Sequence, residues 1–495
     1  MAAKTSTRRQ FLEDSLLASA ADALAAAGLP EAAARAAAPP PPKRRTIGPN
    51  DKIQMACIGV KGRGMSHVNG YIDLPDATVV AICDVDLNQT GRAVSAVEGK
   101  TGKKPKVYQD LRAVFDDPEV DAVSLALPVH WHTLASIWAM QAGKDVYVEK
   151  PVSHNVSEGR KSAEAARKYG RICQAGTQSR SSKAVQDAIA YIHGGKIGKV
   201  TLARGLCYKP RGSIGVFPDE PRPMGVNYDL WLGPAPQRPF NKNRFHYNWH
   251  WMWDYGTGDV GNQGIHQMDI ARWALNKHTL PERVLSMGGR FGYADQGETP
   301  NTLLSFYDYG DAQLLFEVRG LKTDGLKGVK IGDVVYGTDG YVAFGDNYSA
   351  AGAFDNDGKK VATFSGGGNH FGNFIQAVRS RKPTDLNAPV EEGHLSSALC
   401  HLGNVSYRLG QPVPFADKAK HVSSSGVGNL QTVTEAYARF ESHLAENGVA
   451  LGGATYRLGR ALRLDVKSET FGRDKEANAL LSRAYRHPFV VPDRV

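Results

Sequence analysis

The stretch Ile53-Gln54-Met55-Ala56-Cys57-Ile58-Gly59-Val60-Lys61-Gly62-Arg63-Gly64 begins as an apolar run of strand length and ends in closely spaced glycines, with a helix start expected near Met65. A second strand pattern, Thr78 to Cys83, ends in Asp84, 20 residues beyond Gly64. Glycines allow a tight turn and close approach to a pyrophosphate, amides at a helix start hold the phosphates, and an acid ending the next strand accepts bonds from a ribose diol. The unit therefore reads as dinucleotide-binding. Asp84 would repel a 2′-phosphate, and the one nearby base after it, Arg92, lies eight residues on, so NAD is favoured over NADP.

The alternation continues outward. Val107-Tyr108 leads to a helix around Asp110 to Phe115, and the strand Ala122 to Leu127 gives way to Pro128-Val129-His130-Trp131-His132 and a helix from Thr133 to Ala142. The short strand Asp145 to Val148 ends in Glu149-Lys150-Pro151, followed by a helix (Glu158 to Tyr169) and a strand (Ile172 to Ala175). Strand, helix, strand at this spacing predicts a parallel sheet with both faces covered. Lys150 then sits at the carboxyl end of a strand, where open α/β sheets bind ligands, although a solvated lysine at a strand-loop junction is the plain alternative. His130 and His132 are expected just past a strand end, in structural or functional roles.

After Gly176-Thr177-Gln178-Ser179-Arg180 the pattern changes. A helix (Ser182 to His193) and a strand (Val200 to Cys207) precede a Gly/Pro-rich passage, and the runs Ser286 to Tyr293, Thr302 to Tyr309, Gln313 to Arg319 and Lys330 to Gly337 alternate as in a largely antiparallel sheet. Helices are expected at Gly372 to Arg381 and Glu391 to Leu409. The fold class is α/β: a Rossmann-type parallel sheet, then an α/β domain with a large open, mainly antiparallel sheet. Boundaries are expected at 1–48 (leader and linker), 49–176 (NAD-binding domain), 177–427 (substrate and oligomerisation domain, with possible return helices to the first) and 428–495 (helix-rich C-terminal extension).

Three of the seven tryptophans fall within five residues of Phe245-His246-Tyr247-Asn248-Trp249-His250-Trp251-Met252-Trp253-Asp254-Tyr255. Indole faces stack on sugar C–H faces as readily as they pack a core. A helix begins near Gly261, and Asn262, His266 and Asp269 share one of its faces by their i, i+4 and i, i+3 spacing. A histidine carries protons near neutral pH, and Asp269 can orient its ring. No strong metal-ligand spacing occurs, and no metal is expected. Substrate contacts are assigned to Asn262, Asp269, Trp251, Trp253 and Arg180.

Hydrophobic residues make up 42% and charged residues 22% of the 495, an ordinary globular balance. The net charge of +10 is spread without a strong basic block, so nucleic acid is not an expected partner. The five cysteines form no CxxC pair and read as buried free thiols, and no apolar run is long enough to span a bilayer. Ser6-Thr7-Arg8-Arg9-Gln10-Phe11-Leu12 and the Ala/Leu stretch after it resemble a twin-arginine export signal, although Glu13, Asp14 and Asp22 interrupt the apolar segment. A periplasmic or otherwise exported location is expected, a cytoplasmic one being the alternative.

Together these motifs resemble the Gfo/Idh/MocA family of NAD(P)-dependent oxidoreductases, typified by inositol dehydrogenase and glucose-fructose oxidoreductase, over about residues 50 to 415. The resemblance is carried by the Ile58-to-Gly64 loop with Asp84, Pro128 with His132, Glu149-Lys150-Pro151, Gly176-Thr177-Gln178, and the Gly261-to-Asp269 helix. Trp231-Leu232-Gly233-Pro234-Ala235-Pro236 and His394 are similar to a branch of the family with such leaders. It implies NAD, tightly bound in the redox-neutral alternative below, held by Gly59, Lys61, Gly62, Arg63, Gly64, Asp84, Pro128, His132, Glu149, Lys150 and Gln178. It also implies Lys150 against nicotinamide and substrate, His266 assisting proton removal from the reacting hydroxyl, and a homodimer or homotetramer. The chain departs from the pattern at Lys61, where glycine is usual, and at Asn262, where aspartate is usual. An amide orients a hydroxyl but cannot take its proton. The leading expectation is hydride transfer from a secondary hydroxyl of a sugar, cyclitol or sugar derivative. A redox-neutral glycosidase or epimerase using retained NAD and a transient keto-sugar is the alternative, and a non-catalytic sugar-binding or assembly protein is the second.

Overall fold

The computed structural model describes residues 45–417 and 429–495, so the paired arginines of the leader lie outside the described residues. The described residues form one compact unit containing two sheets. Among the described residues, no helix is long and apolar enough to cross a membrane.

The first sheet is built from β1 (Ile53–Ile58), α1 (Arg63–Ile72), β2 (Ala77–Cys83), α2 (Thr90–Thr101), β3 (Lys106–Tyr108), α3 (Leu111–Asp116), β4 (Ala122–Leu125), α4 (Val129–Gln141), β5 (Asp145–Val148), α5 (Val156–Lys168) and β6 (Cys173–Ala175). Its six strands are all parallel, in the order β3-β2-β1-β4-β5-β6. The central strands are apolar along their length because helices cover both faces. Strand order reverses between β1 and β4, and the crevice beyond their carboxyl ends is where such sheets take ligands. The start of α4 differs most from expectation. Pro128 stands at the N-cap of α4, so the helix starts at Val129 and carries His130 and His132 in its first turn rather than in a loop.

After α6 (Lys183–His193) the chain enters β7 (Val200–Tyr208), then α7 (Tyr228–Leu232), α8 (Gly258–Asn262), α9 (Gly264–Ala274), β8 (Arg283–Gly289), β9 (Thr302–Asp308), β10 (Gln313–Arg319), β11 (Ile331–Gly337), β12 (Gly340–Phe344), β13 (Ala350–Phe354) and β14 (Lys360–Ser365). The return elements follow: α10 (His370–Ser380), α11 (Val390–Arg408), β15 (Gln411–Pro414), α12 (Leu430–Glu446), β16 (Thr455–Leu458), β17 (Leu462–Arg463) and α13 (Lys475–Ala479). The second sheet has 11 strands, ordered β14-β13-β12-β11-β7-β10-β9-β8-β16-β15 with β17 beside β8; all its pairs are antiparallel except β7 with β10.

Helices α9 and α11 pack on one face of this sheet, and α11 also packs on α5 of the first. Phe374, Ile375 and Val378 of α10 return to the first sheet's core. On the opposite face, Val433, Tyr437 and Phe440 of α12 cover Leu285, Phe306 and Leu315. The stretch after 428, expected to be helix-rich, therefore holds one long helix and then two short strands that join the sheet. Burial of Tyr456 against Phe415 and Tyr437 draws β16 into it.

Candidate active site

A cavity of about 430 Å³ opens at the β1/β4 crevice, lined by the loop after β1, the ends of β2, β4 and β5, and the region from Leu230 to His266. The loop shape follows from its glycines. A Cβ on Gly59, at φ +78°, would stand 2.6 Å from the Ala126 carbonyl, and one on Gly64 would stand 1.7 Å from the Gly59 carbonyl. Gly62, at φ 59° and ψ −111°, is the N-cap of α1 without a side-chain cap, and a Cβ there would meet only open space. Gly62 and Arg63 at the start of α1 line the cavity, the place where a helix start meets a phosphate, while the Gly64 and Met65 amides donate to the Lys61 and Gly62 carbonyls at 3.3 and 3.1 Å.

At the end of β2, Asp84 Oδ2 accepts from the Val60 amide at 2.9 Å and Oδ1 from the Asp86 amide at 3.0 Å. Burial pushes this carboxyl up to about 6, against the pull of those two amides. At the end of β5, Glu149 Oε1 accepts from Arg63 Nε at 2.7 Å and lies 3.0 Å from His67 Nε2. Burial alone would raise Glu149, but Arg63, His67 and Lys150 together hold it well below the usual carboxylate range. Removal from bulk water lowers the Lys150 ammonium, with Glu149 opposing. Its Nζ donates to the Asn262 main-chain carbonyl. At the position of the expected aspartate, the backbone therefore meets the lysine.

His266 is buried on the facing wall, its ring centroid 5.5 Å from that of Tyr348. Burial, then the charge of Lys150, holds it well below the ordinary imidazole range, so it is neutral near pH 7. Its Nδ1 and the Gln178 Oε1 are buried polar atoms without a protein partner, and both residues line the cavity. Such orphans fit a bound polar ligand. His132 lies between the Pro151 and Leu127 carbonyls, at 2.6 and 2.8 Å; burial lowers its pKa, with the two carbonyls opposing.

Of the residues expected to meet a cofactor, Gly59, Lys61, Gly62, Arg63, Asp84, Pro128, His132, Glu149, Lys150 and Gln178 line this one cavity, with Gly64 packed behind the loop. The expected substrate contacts divide. Asn262 and His266 line the cavity; Asp269 and Arg180 do not. Asp269 lies on α9 beneath α11, where its carboxylate takes Arg180 Nε at 2.8 and 3.0 Å and the Ser396 hydroxyl at 2.6 Å. A carboxylate so far from water needs a cation, and Arg180 is used up in supplying it. Trp251 and Trp253 do not line the cavity either: Arg211 lies over the first at 5.1 Å and Arg408 over the second at 5.2 Å.

The aromatic wall is made instead by Trp131, Trp231, Tyr247, Trp249 and His250. The dense run at 245–255 was the available signal, but a 3-10 turn over Asn248–Trp251 decides which of its rings face inward. His130 lies behind this wall, bonded to the Trp231 carbonyl at 2.9 Å, a structural place.

Residues 53–177 match the model for "Oxidoreductase family, NAD-binding Rossmann fold" and residues 211–433 that for "Oxidoreductase family, C-terminal alpha/beta domain". Among curated proteins, the chain is 31% identical over 156 residues to the scyllo-inositol 2-dehydrogenase (NAD(+)) of Bacillus subtilis, covering 31% of this chain and 44% of that protein. It is 28% identical over 160 residues to a glycosyl hydrolase family 109 protein of Saccharopolyspora erythraea, covering 32% and 35%. The chain thus spans less than half the length of these relatives. Among solved structures, the WlbA dehydrogenase of Bordetella pertussis, crystallised with NADH and UDP-GlcNAcA, has a TM-score of 0.52 at 19% identity over 70% of this chain and 94% of that one, a likeness of fold.

Proposed function

Because the chain belongs to the Gfo/Idh/MocA oxidoreductase family, we propose that it oxidises a secondary hydroxyl of a sugar, cyclitol or sugar derivative with NAD in the cavity described above. The carrying observation is that one cavity gathers the glycine loop, Asp84, Lys150 and His266. In this reading the α1 amides hold the pyrophosphate, and Asp84 accepts from the ribose hydroxyls. When bound, nicotinamide supplies a hydride acceptor for the reacting carbon. Neutral His266 takes the hydroxyl proton, and the Lys150 charge stabilises the developing alkoxide. Glu149, tied to Arg63 and His67, keeps a fixed negative charge beside the lysine. Aromatic faces of Trp231 and Trp249 offer a stacking surface for a saccharide ring.

Titration with NAD and NADP, followed by incubation with a panel of polyols and sugars, tests this. Binding of NAD with accumulation of its reduced form supports the reading, and failure to bind either nucleotide sinks it.

Similarity to glycosyl hydrolase family 109 proteins supports a second reading, in which the cofactor is reduced and regenerated within each turnover. Bond cleavage or inversion in a sugar without net reduction of NAD would establish that one. We also propose export through the Arg8-Arg9 leader and assembly as a homodimer or homotetramer. Fractionation of a variant with both arginines changed to lysine and sedimentation of the purified protein test these in turn.

A further inference from the structure

We infer that Met224–Asn227, together with His246, clamps the ribose end of the cavity and sets how slowly a nicotinamide dinucleotide leaves; this rests on the cofactor reading above. The segment belongs to the long connection between β7 and α7, yet it is bonded to the turn that follows β2. The Asn227 amide donates to the Val85 carbonyl at 2.8 Å, and the Leu87 amide donates to the Gly225 carbonyl at 3.1 Å. Asp86 and Val226 pair between these bonds as an antiparallel bridge. Gln109 Nε2 donates to both the Val85 and Gly225 carbonyls, at 3.1 and 3.0 Å, so one side chain ties the two strands of the junction.

His246 adds a second tie. Its Nε2 lies 2.8 Å from Asp86 Oδ2, and since a carboxylate only accepts, Nε2 carries the proton and donates. The residue sits at φ +61°, a left-handed backbone that non-glycine residues rarely adopt and that must be held by its surroundings. Val85 and His246 both line the cavity beside Asp84, so the junction closes the side on which the ribose acid stands. Met224 is 93% exposed, whereas Val226 is buried in an apolar cluster with Tyr228, Trp231 and Phe245, so these polar bonds and one apolar anchor together hold the segment down.

The test uses full-length protein and His246→Ala and Gln109→Ala variants, with His246→Gln as the conservative control. The dissociation rate of NADH is read from its fluorescence on displacement by excess NAD. Loss of one charge-assisted hydrogen bond predicts a rate about tenfold faster for His246→Ala, with partial recovery in His246→Gln. Nicotinamide mononucleotide, which lacks the adenosine half, should bind all proteins alike. Unchanged NADH dissociation in a folded variant, or a parallel loss of mononucleotide affinity, would overturn the clamp. If His246→Ala does not fold, Gln109→Ala carries the same comparison. Wild-type protein that binds no dinucleotide would overturn the cofactor reading, and the clamp with it.

Discussion

Arg180 Nε reaches both carboxylate oxygens of Asp269, at 2.8 and 3.0 Å, in a pair almost wholly removed from solvent. Arg180 also reaches Glu392 at 3.1 Å and lies over the Trp273 ring at 5.0 Å. Removing Asp269 leaves the buried Arg180 charge with Glu392 as its remaining carboxylate partner, and breaking a buried pair typically costs up to about 3–5 kcal/mol. Asp269→Ala should therefore lower unfolding stability by that amount in denaturant titrations and leave the substrate KM of the folded enzyme near wild type. A raised KM with unchanged stability would return Asp269 to the substrate site.

The two proposed proton-handling groups bound the pH range of activity. His266 acts unprotonated, and its pKa is held well below the ordinary 6.5, so kcat/KM should not fall as pH drops through 6.5. Lys150 acts charged, and its pKa is lowered from 10.5, so activity should be lost as pH rises through a value below 10.5. A pH profile of kcat/KM checks both limbs, and Lys150→Arg should move the alkaline limb upward because guanidinium stays charged.

Asp84 gives a separate signature in binding. Its carboxyl titrates near 6, so the acceptor for the ribose hydroxyls is lost as pH falls through that value, and NAD affinity should weaken there. Asp84→Asn should bind NAD more weakly at neutral pH and lose most of this pH dependence, as measured by isothermal titration.

The aromatic wall separates Trp131, Trp231 and Trp249, which line the cavity, from Trp251 and Trp253, which do not. Trp249→Ala should raise the sugar KM about tenfold, the loss of roughly one stacking contact. Trp253→Ala, outside the cavity, should change KM little. Steady-state kinetics of the two variants on one substrate makes the comparison.

What was legible in the sequence follows from how local each signal is. The parallel strands are buried on both faces, so they read as apolar runs whose ends mark Asp84, Pro128 and Lys150. Strands β12, β13 and β14 went unread because Ala350–Phe354 is small and Gly-bearing and Lys360–Ser365 is mostly polar or exposed. Asn262 and His266 appeared to lie on one helix; in the fold α8 ends at Asn262 and α9 begins at Gly264, and both residues still reach the cavity. Which tryptophans face inward depended on a 3-10 turn and on arginines distant in sequence, Arg211 and Arg408, that cover the other two. No local pattern carries that information.

The most direct measurement is single-turnover reduction of bound NAD by a reactive polyol, in wild-type protein and in Lys150→Met. The account predicts similar NAD affinity in both and a hydride-transfer step slower by about 10²–10³ in the variant, the loss expected for a group that stabilises developing charge. A variant that reduces NAD at the wild-type rate would contradict the role of Lys150 and the mechanism built around it.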